Sequence, residues 1–127
     1  MLRCVLNTLN GARMFSTVPV KKVARVLRMQ LNGEEAVAVQ TDAILGTVVS
    51  SLNDPKNGLL GYLKTNRTVC KSEWAYEVCI VFDGLVNFKG FMESDIHETT
   101  VVPKLREMQE LSKPNTFYTG VRVYDDI

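Results

Sequence analysis

Long hydrophobic runs, paired cysteines and an excess of one charge are all missing from this sequence. No uncharged apolar stretch approaches the roughly 20 residues that a membrane-spanning helix needs, so the sequence predicts no membrane span. The three cysteines, Cys4, Cys70 and Cys79, are too few and too scattered for a disulfide-stabilised scaffold. The net charge is +1 and no basic stripe stands out in the core of the chain, so we do not expect nucleic acid as a partner.

Motifs that hold metals or phosphate groups are missing as well. His97 is the only histidine and the cysteines form no C-x-x-C pair, so we expect no metal site. Gly84 and Gly90 stand alone rather than in a glycine-rich phosphate loop. We therefore expect no bound cofactor.

What remains is the composition of one ordinary globular domain. Of the 127 residues, 46% are hydrophobic, 23% are charged and 8% are aromatic. These values exclude the intrinsically disordered, collagen-like and coiled-coil classes. A chain of this length has room for one domain and a short tail.

Charge is distributed unevenly along the chain. Residues 1–33 contain six basic side chains and no acidic one, with leucines interspersed near the start. This pattern is typical of an organelle targeting peptide, and residues 13–16 (RMFS) resemble the Arg-x-Phe/Ser site of the mitochondrial processing peptidase. We predict a mitochondrial targeting peptide at 1–15, flexible to about residue 20, and a domain at 22–127 that works in the mitochondrial matrix. The alternative is a disordered N-terminal extension.

The rest of the sequence divides into two similar halves, each with a strand, a helix and a strand. Alternating apolar residues predict the strands, and we expect Arg25 and Arg28 to point outward from the first one. Apolar residues at spacings of three and four predict the helices, and Pro103 predicts a kink or a fresh helix within the last of them. The predicted elements are a strand at 22–31, a helix to about residue 51, strands at 59–69 and 74–82, helical stretches at 85–92 and 96–111, and a strand at 117–124.

The order β-α-β-β-α-β predicts a ferredoxin-like α+β fold, with a four-stranded antiparallel sheet and both helices on one face. The strand at 74–82 is apolar on both faces, because Ala75, Cys79 and Val81 alternate with the residues that face the helices. An isolated subunit would expose the second face as an apolar patch. We therefore expect a sheet-to-sheet homodimer, or another protein partner on that face. The alternative is coverage by the N-terminal tail.

Three segments carry a resemblance to a known family. Residues 74–82 (WAYEVCIVF), 88–97 (FKGFMESDIH) and 102–105 (VPKL) resemble the dimeric α/β-barrel superfamily, and within it the antibiotic-biosynthesis-monooxygenase-like domain. The order of elements extends the resemblance over residues 22–125. The family includes cofactor-free quinone-forming monooxygenases, haem-degrading enzymes, polyketide cyclases, signal-molecule isomerases and members without known catalysis. The histidine and first-strand asparagine of the haem-degrading relatives have no counterpart here, so we expect no haem chemistry.

The resemblance also implies candidate site residues. His97 lies where relatives often carry a histidine, and it could take a proton from a phenolic or quinol substrate, with Asp95 or Glu98 orienting it. The alternative is a histidine that caps or packs a helix start. Relatives hold aromatic ligands in a cavity between helices and sheet, and the residues that could line it here are Tyr62, Trp74, Tyr76 and Phe88; the alternative is that these residues are core.

Two functions follow from these residues. The first is a cofactor-independent monooxygenase or cyclase that acts on a small aromatic or quinone-type compound, with His97 as the base in an apolar pocket. The second is a non-catalytic accessory subunit of a mitochondrial protein complex that uses the barrel as a docking platform. An open pocket that reaches His97 favours the first function, whereas an interior filled by Phe88, Met92 and Met108 favours the second.

Overall fold

The chain forms an antiparallel sheet of four strands with its helices on one face. This description comes from a computed structural model, and the structure describes residues 21–124. The elements in chain order are β1 (Lys22–Gln30), α1 (Glu35–Asn53), a 3-10 turn (Pro55–Asn57), β2 (Tyr62–Cys70), β3 (Ala75–Asp83), α2 (Leu85–Met92), a π-helical turn (His97–Val101), α3 (Val102–Glu110) and β4 (Tyr118–Tyr124).

The topology confirms the predicted ferredoxin-like α+β fold. The strands lie in the order β2-β3-β1-β4, and each neighbouring pair is antiparallel. None of the helices within residues 21–124 is long and apolar enough to cross a membrane. The predicted targeting peptide at 1–15 lies outside the described residues, so it stays a prediction.

Strand β2 begins at Tyr62, later than the sequence pattern predicts. Gly58 ends the preceding turn with φ of 60°, and Gly61 adopts φ of 75°, so the backbone becomes extended only after Gly61. A Cβ atom at Gly61 would overlap the side chain of Asn87 on α2, because the loop runs directly against that helix. The two glycines therefore set the start of the strand.

The hydrophobic core lies between the sheet and the helices, and the ring of Phe82 is at its centre. Phe82 is fully buried and stacks on Phe91 of α2, with 4.7 Å between the ring centroids. Tyr62 of β2 and Phe88 of α2 contact the same ring, with centroid distances of 5.7 and 6.2 Å. As predicted, alternate residues of β3 face the helices and are buried, namely Tyr76, Val78, Ile80 and Phe82.

An ion pair crosses the side of the sheet that faces away from the helices, called here the open face. Arg122 of β4 and Glu77 of β3 lie 2.8 Å apart, on either side of β1. Val26 of β1 lies between their positions in register, so the ion pair runs diagonally over Val26 and helps to bury it. The other apolar residues on this face are Ala24 and Val81, which are buried, Cys79, which is half-buried, and Ala75, which is exposed. The expected exposed apolar patch is therefore wrong for Val81, which the single chain already buries.

We expect Phe82→Ala to lower the free energy of unfolding by about 3–5 kcal/mol, because the substitution removes the ring that three aromatic side chains share and leaves a cavity. Chemical denaturation followed by circular dichroism measures this change. Leu63→Ala, at a half-exposed position on β2, serves as the control, and we expect it to change stability by about 0.5 kcal/mol or less. Similar losses in the two variants would contradict the central position of Phe82.

Candidate functional site

A π-helical turn precedes α3 and begins with the only histidine of the sequence. The backbone N–H of Val102 donates to the carbonyl oxygen of His97, which is the hydrogen-bond spacing of a π-helix. Pro103 has no N–H and cannot continue an uninterrupted α-helix, so α3 starts afresh at Val102 with the proline in its first turn. This start confirms the predicted break at Pro103. Turns of this kind are frequent at functional sites.

The imidazole of His97 lies in the interior beside the aromatic core. Only 8% of the residue is exposed, and its ring meets Phe91 edge-on with 5.0 Å between centroids. Its backbone N–H donates to Ser94 Oγ at 3.3 Å. The buried Nε2 atom has no hydrogen-bond partner within residues 21–124. The cavities described for residues 21–124 are not lined by His97, so a ligand reaches this atom only when the packing around the ring opens.

Burial is the main reason why the pKa of His97 lies below its usual value near 6.5, and the positive charge of Arg25 lowers it further. The carboxylate of Glu98 opposes this shift to a smaller extent. His97 is therefore neutral at physiological pH and can accept a proton. Asp95 and Glu98, the expected orienting groups, are exposed, and neither bonds to the buried Nε2.

Arg25 belongs to the site, and the prediction that it points outward is wrong. It lies on the same face of β1 as the core residues Val23 and Leu27, so its side chain extends beneath the helices. Its Nε atom is buried without a hydrogen-bond partner in the described part of the chain. Arg28 has the predicted outward orientation, and its guanidinium carbon lies 4.6 Å from the ring centroid of Tyr118 on the open face.

The site adjoins an exposed apolar strip on the edge strand. Val121 pairs in register with Arg25 and Val123 with Val23, so both β4 valines lie on the helix-facing side of the sheet. They are 53% and 46% exposed, which shows that the helices leave this part of β4 uncovered. These two valines, called here the β4 strip, give a small molecule an apolar surface next to Arg25.

The four residues predicted to line one pocket lie at two ends of the core. Tyr62 and Phe88 meet around Phe82. Tyr76 comes six positions before Phe82 on β3, which places it roughly 20 Å away along the strand. Trp74 lies just before β3 in the turn from β2, with φ of 53°, and is partly buried against the core. The structure thus brings Tyr62 and Phe88 together but not Tyr76 or Trp74 with them.

A hydrogen bond from Tyr76 connects β3 to α1. Its hydroxyl donates to Asp42 Oδ1 at 2.6 Å, and Arg67 Nη2 donates to the second carboxylate oxygen of Asp42 at 2.8 Å. Burial, together with the hydrogen bond to Asp42 and its negative charge, raises the pKa of Tyr76 above its usual value. Tyr76 therefore stays protonated and has a structural role in this network.

Two cavities lie at the open face and at the edge of the sheet. A hollow of about 130 Å³ is lined by residues that include Asn66, Cys79 and Arg122. A wider groove of about 490 Å³ lies near the turn from β2 to β3 and reaches Arg28 and Glu77. Within residues 21–124, no three side chains of His, Cys, Asp or Glu come together in a way that could hold a metal ion.

No protein-family profile and no curated protein matches this sequence, but solved structures match its fold. SnoaB from Streptomyces nogalater, a cofactor-independent oxygenase, shares 13% identity over 84% of this chain and 96% of its own, with a TM-score of 0.59. A Caulobacter crescentus CB15 protein, provisionally described as an antibiotic biosynthesis monooxygenase, shares 13% identity over 84% and 92%, with a TM-score of 0.58. A dimeric ferredoxin-like protein of unknown function from Jannaschia sp. CCS1 shares 8% identity over 80% and 97%, with a TM-score of 0.56.

The chain shares the ferredoxin-like fold of these three proteins. The resemblance that residues 74–105 carry is therefore confirmed as a resemblance of fold. At identities of 13% and below, the solved structures show the architecture alone. The function of this chain is argued from its own residues, chiefly Arg25 and His97.

We expect Arg25→Met to raise the free energy of unfolding by about 1 kcal/mol, because it removes a half-buried cation whose buried Nε has no partner and keeps an apolar stem. The same variant should raise the pKa of His97 toward its usual value, since the charge of Arg25 lowers it. Thermal unfolding and an NMR titration of the single imidazole measure the two effects. Arg28→Met, on the opposite face of β1, is the control and should produce neither gain. A destabilised Arg25→Met variant with an unchanged His97 pKa would contradict this account.

Proposed function

We propose that this protein works in mitochondria and binds a small aromatic or quinol-type compound between the sheet and the helices, where it oxidises the compound without a cofactor. The observation that carries the proposal is the pair of buried polar atoms, His97 Nε2 and Arg25 Nε, that have no partner within residues 21–124. Unpaired buried polar atoms cost stability, and a bound ligand that pairs with them would offset that cost. The basic, acid-free segment 1–33 supports the mitochondrial location.

The chemistry divides between two side chains and the substrate. Neutral His97 takes a proton from an O–H or activated CH₂ group of the bound compound. Arg25 stabilises the anion that remains, because its positive charge acts on the same imidazole. The electron-rich anion then reduces dioxygen. A CH₂ group becomes a carbonyl that keeps one oxygen atom while the other leaves in water, whereas a quinol gives a quinone and hydrogen peroxide.

The comparison with SnoaB supports this proposal, because a protein of the same architecture is a cofactor-independent oxygenase. A cofactor-independent oxygenation requires a base, an apolar surface and a charge that stabilises an anion. Arg25 and the β4 strip supply the charge and the apolar surface on neighbouring strands, and His97 supplies the base from the turn before α3.

We also infer that two copies associate through their open faces. Ala24, Val26 and Val81 are already buried in the single chain. The apolar surface that this face offers a partner is therefore the half-buried Cys79 and the exposed Ala75, beside the ion pair of Glu77 with Arg122. The dimeric ferredoxin-like protein from Jannaschia supports the inference. A sheet-to-sheet homodimer would close the 130 Å³ hollow on each open face.

A second function, that of an accessory subunit in a mitochondrial complex, is favoured by one specific observation. Phe88 and Met108 are buried in the core and Met92 packs against it, so these side chains fill space that a large substrate pocket would need. In that case the open face would dock on a different protein. The two functions differ in whether the site beneath the helices turns over a substrate.

We expect the tag-free protein to accelerate oxygen uptake with a member of a panel of quinols and of phenols that carry an activated CH₂ group. His97→Gln should reduce the rate by about 10²-fold or more, because it removes the general base. An oxygen electrode measures the rate, and Glu93→Gln, an exposed substitution at the end of α2, is the control that should retain it. Absence of uptake across the panel, with co-purification in a larger assembly, would favour the accessory subunit.

Protein extracted gently from the organelle should have a native mass near twice that of the single chain, which is 14.2 kDa over its full length. Cys79→Lys places a charge in the open-face hollow and should shift the recombinant protein to the monomer. Gln40→Lys, on the exposed side of α1, is the control that should remain dimeric. Light scattering after size-exclusion chromatography measures these masses. A monomeric wild-type chain would contradict the homodimer.

A further inference from the structure

Arg25 differs from the other arginines of the sheet in what surrounds it. Arg67 and Arg122 each pair with a carboxylate at 2.8 Å, and Arg28 lies over the ring of Tyr118. Burial lowers the pKa of Arg25, and no carboxylate of the described residues opposes that shift. A guanidinium nevertheless stays protonated in proteins. The site beneath the helices therefore contains a positive charge that residues 21–124 do not neutralise.

A second buried group stands beside this charge. His97 is 8% exposed, and its Nε2 has no hydrogen-bond partner within residues 21–124. Arg25 lies on the helix-facing side of β1, and the His97 ring packs on Phe91 over the same side of the sheet. In keeping with this placement, the charge of Arg25 lowers the pKa of His97. Buried charges and polar atoms are costly unless a partner pairs with them. A ligand with an anionic group would supply that partner.

The surface next to Arg25 indicates the chemical character of the part of the ligand that does not bind the guanidinium. Val121 pairs in register with Arg25, and the β4 strip is about half exposed on the helix-facing side. A ligand bound to Arg25 would lay its remaining atoms on these valines, so an apolar body fits better than a second polar group.

We propose that the Arg25–His97 site recognises small aromatic carboxylates. The planar carboxylate accepts two parallel hydrogen bonds from the guanidinium fork, which matches its geometry. The ring lies on the β4 strip, and the carboxylate edge faces His97 Nε2. This inference rests on the proposed small-molecule site and specifies the ligand class that the site takes.

The single histidine makes the proposal directly measurable. In the tag-free full-length protein, the imidazole C–H signals in an NMR spectrum can come only from His97. Benzoate should shift these signals and raise the pKa of His97, because the anion offsets the charge of Arg25. Benzamide has the same ring without the charge, and it should leave the signals in place at the same concentrations.

Two variants test the role of the guanidinium. Arg25→Gln should weaken benzoate binding by about tenfold or more, the effect of losing a charge-assisted hydrogen bond. Val121→Glu keeps Arg25 but places a carboxylate opposite it in register, so it should also abolish the benzoate response. Arg28→Gln, on the other face of β1, is the matched control and should bind benzoate as the wild type does.

The outcomes separate this inference from the proposed oxidation. Equal responses to benzoate and benzamide, or undiminished benzoate binding in Arg25→Gln, would overturn the anion site. Benzoate binding that depends on Arg25 in a protein that consumes no oxygen would uphold the anion site and count against the oxidation alone. Oxygen uptake without any benzoate response would uphold the oxidation and overturn the anion site.

Discussion

The alternation of side chains along β1, held in register between β3 and β4, is the constraint on which the rest of the structure depends. It places Val23, Leu27 and Met29 beneath the helices, and it places Arg25 there with them. A slip of one residue would move Arg25 to the open face and expose its core neighbours. The hydrophobic core and the charged site are thus set by the same pairing, and burial of the apolar neighbours offsets the cost of the cation.

Much of the fold could be predicted from the sequence, because the patterns at 74–82 and in the helices are strong and mutually consistent. The start of β2 was missed because Gly58 and Gly61 act through their backbone angles, which no hydropathy pattern records. Arg25 was missed because strand arginines usually face solvent, although its spacing from Val23 placed it on the inner face. The alternation of apolar residues predicts which face of the sheet a side chain lies on, but it does not predict which other side chains lie near it. The predicted pocket therefore combined aromatic residues from opposite ends of the core.

The two proposed functions use opposite sides of one sheet. Oxidation or ligand binding involves Arg25, His97 and the β4 strip on the helix-facing side, whereas association involves the cluster around Val26 on the open face. The two sites share no side chain, because successive residues of β1 point to opposite faces of the sheet. A docking role and a small-molecule site are therefore compatible within one chain, and each face can be altered without touching the residues of the other.

The π-helical turn has a consequence for how the imidazole is held in place. Pro103 would clash with the preceding turn of a regular helix, so the segment from His97 to Val101 cannot relax into one. The backbone at His97 is thereby constrained by Pro103, and the ring packs edge-on against Phe91 with no hydrogen bond at Nε2 within residues 21–124. Deleting a single residue from this turn would rotate the ring by roughly 100° about the helix axis relative to α3. Chain length between α2 and Pro103, rather than side-chain identity alone, thus decides whether the histidine faces the interior.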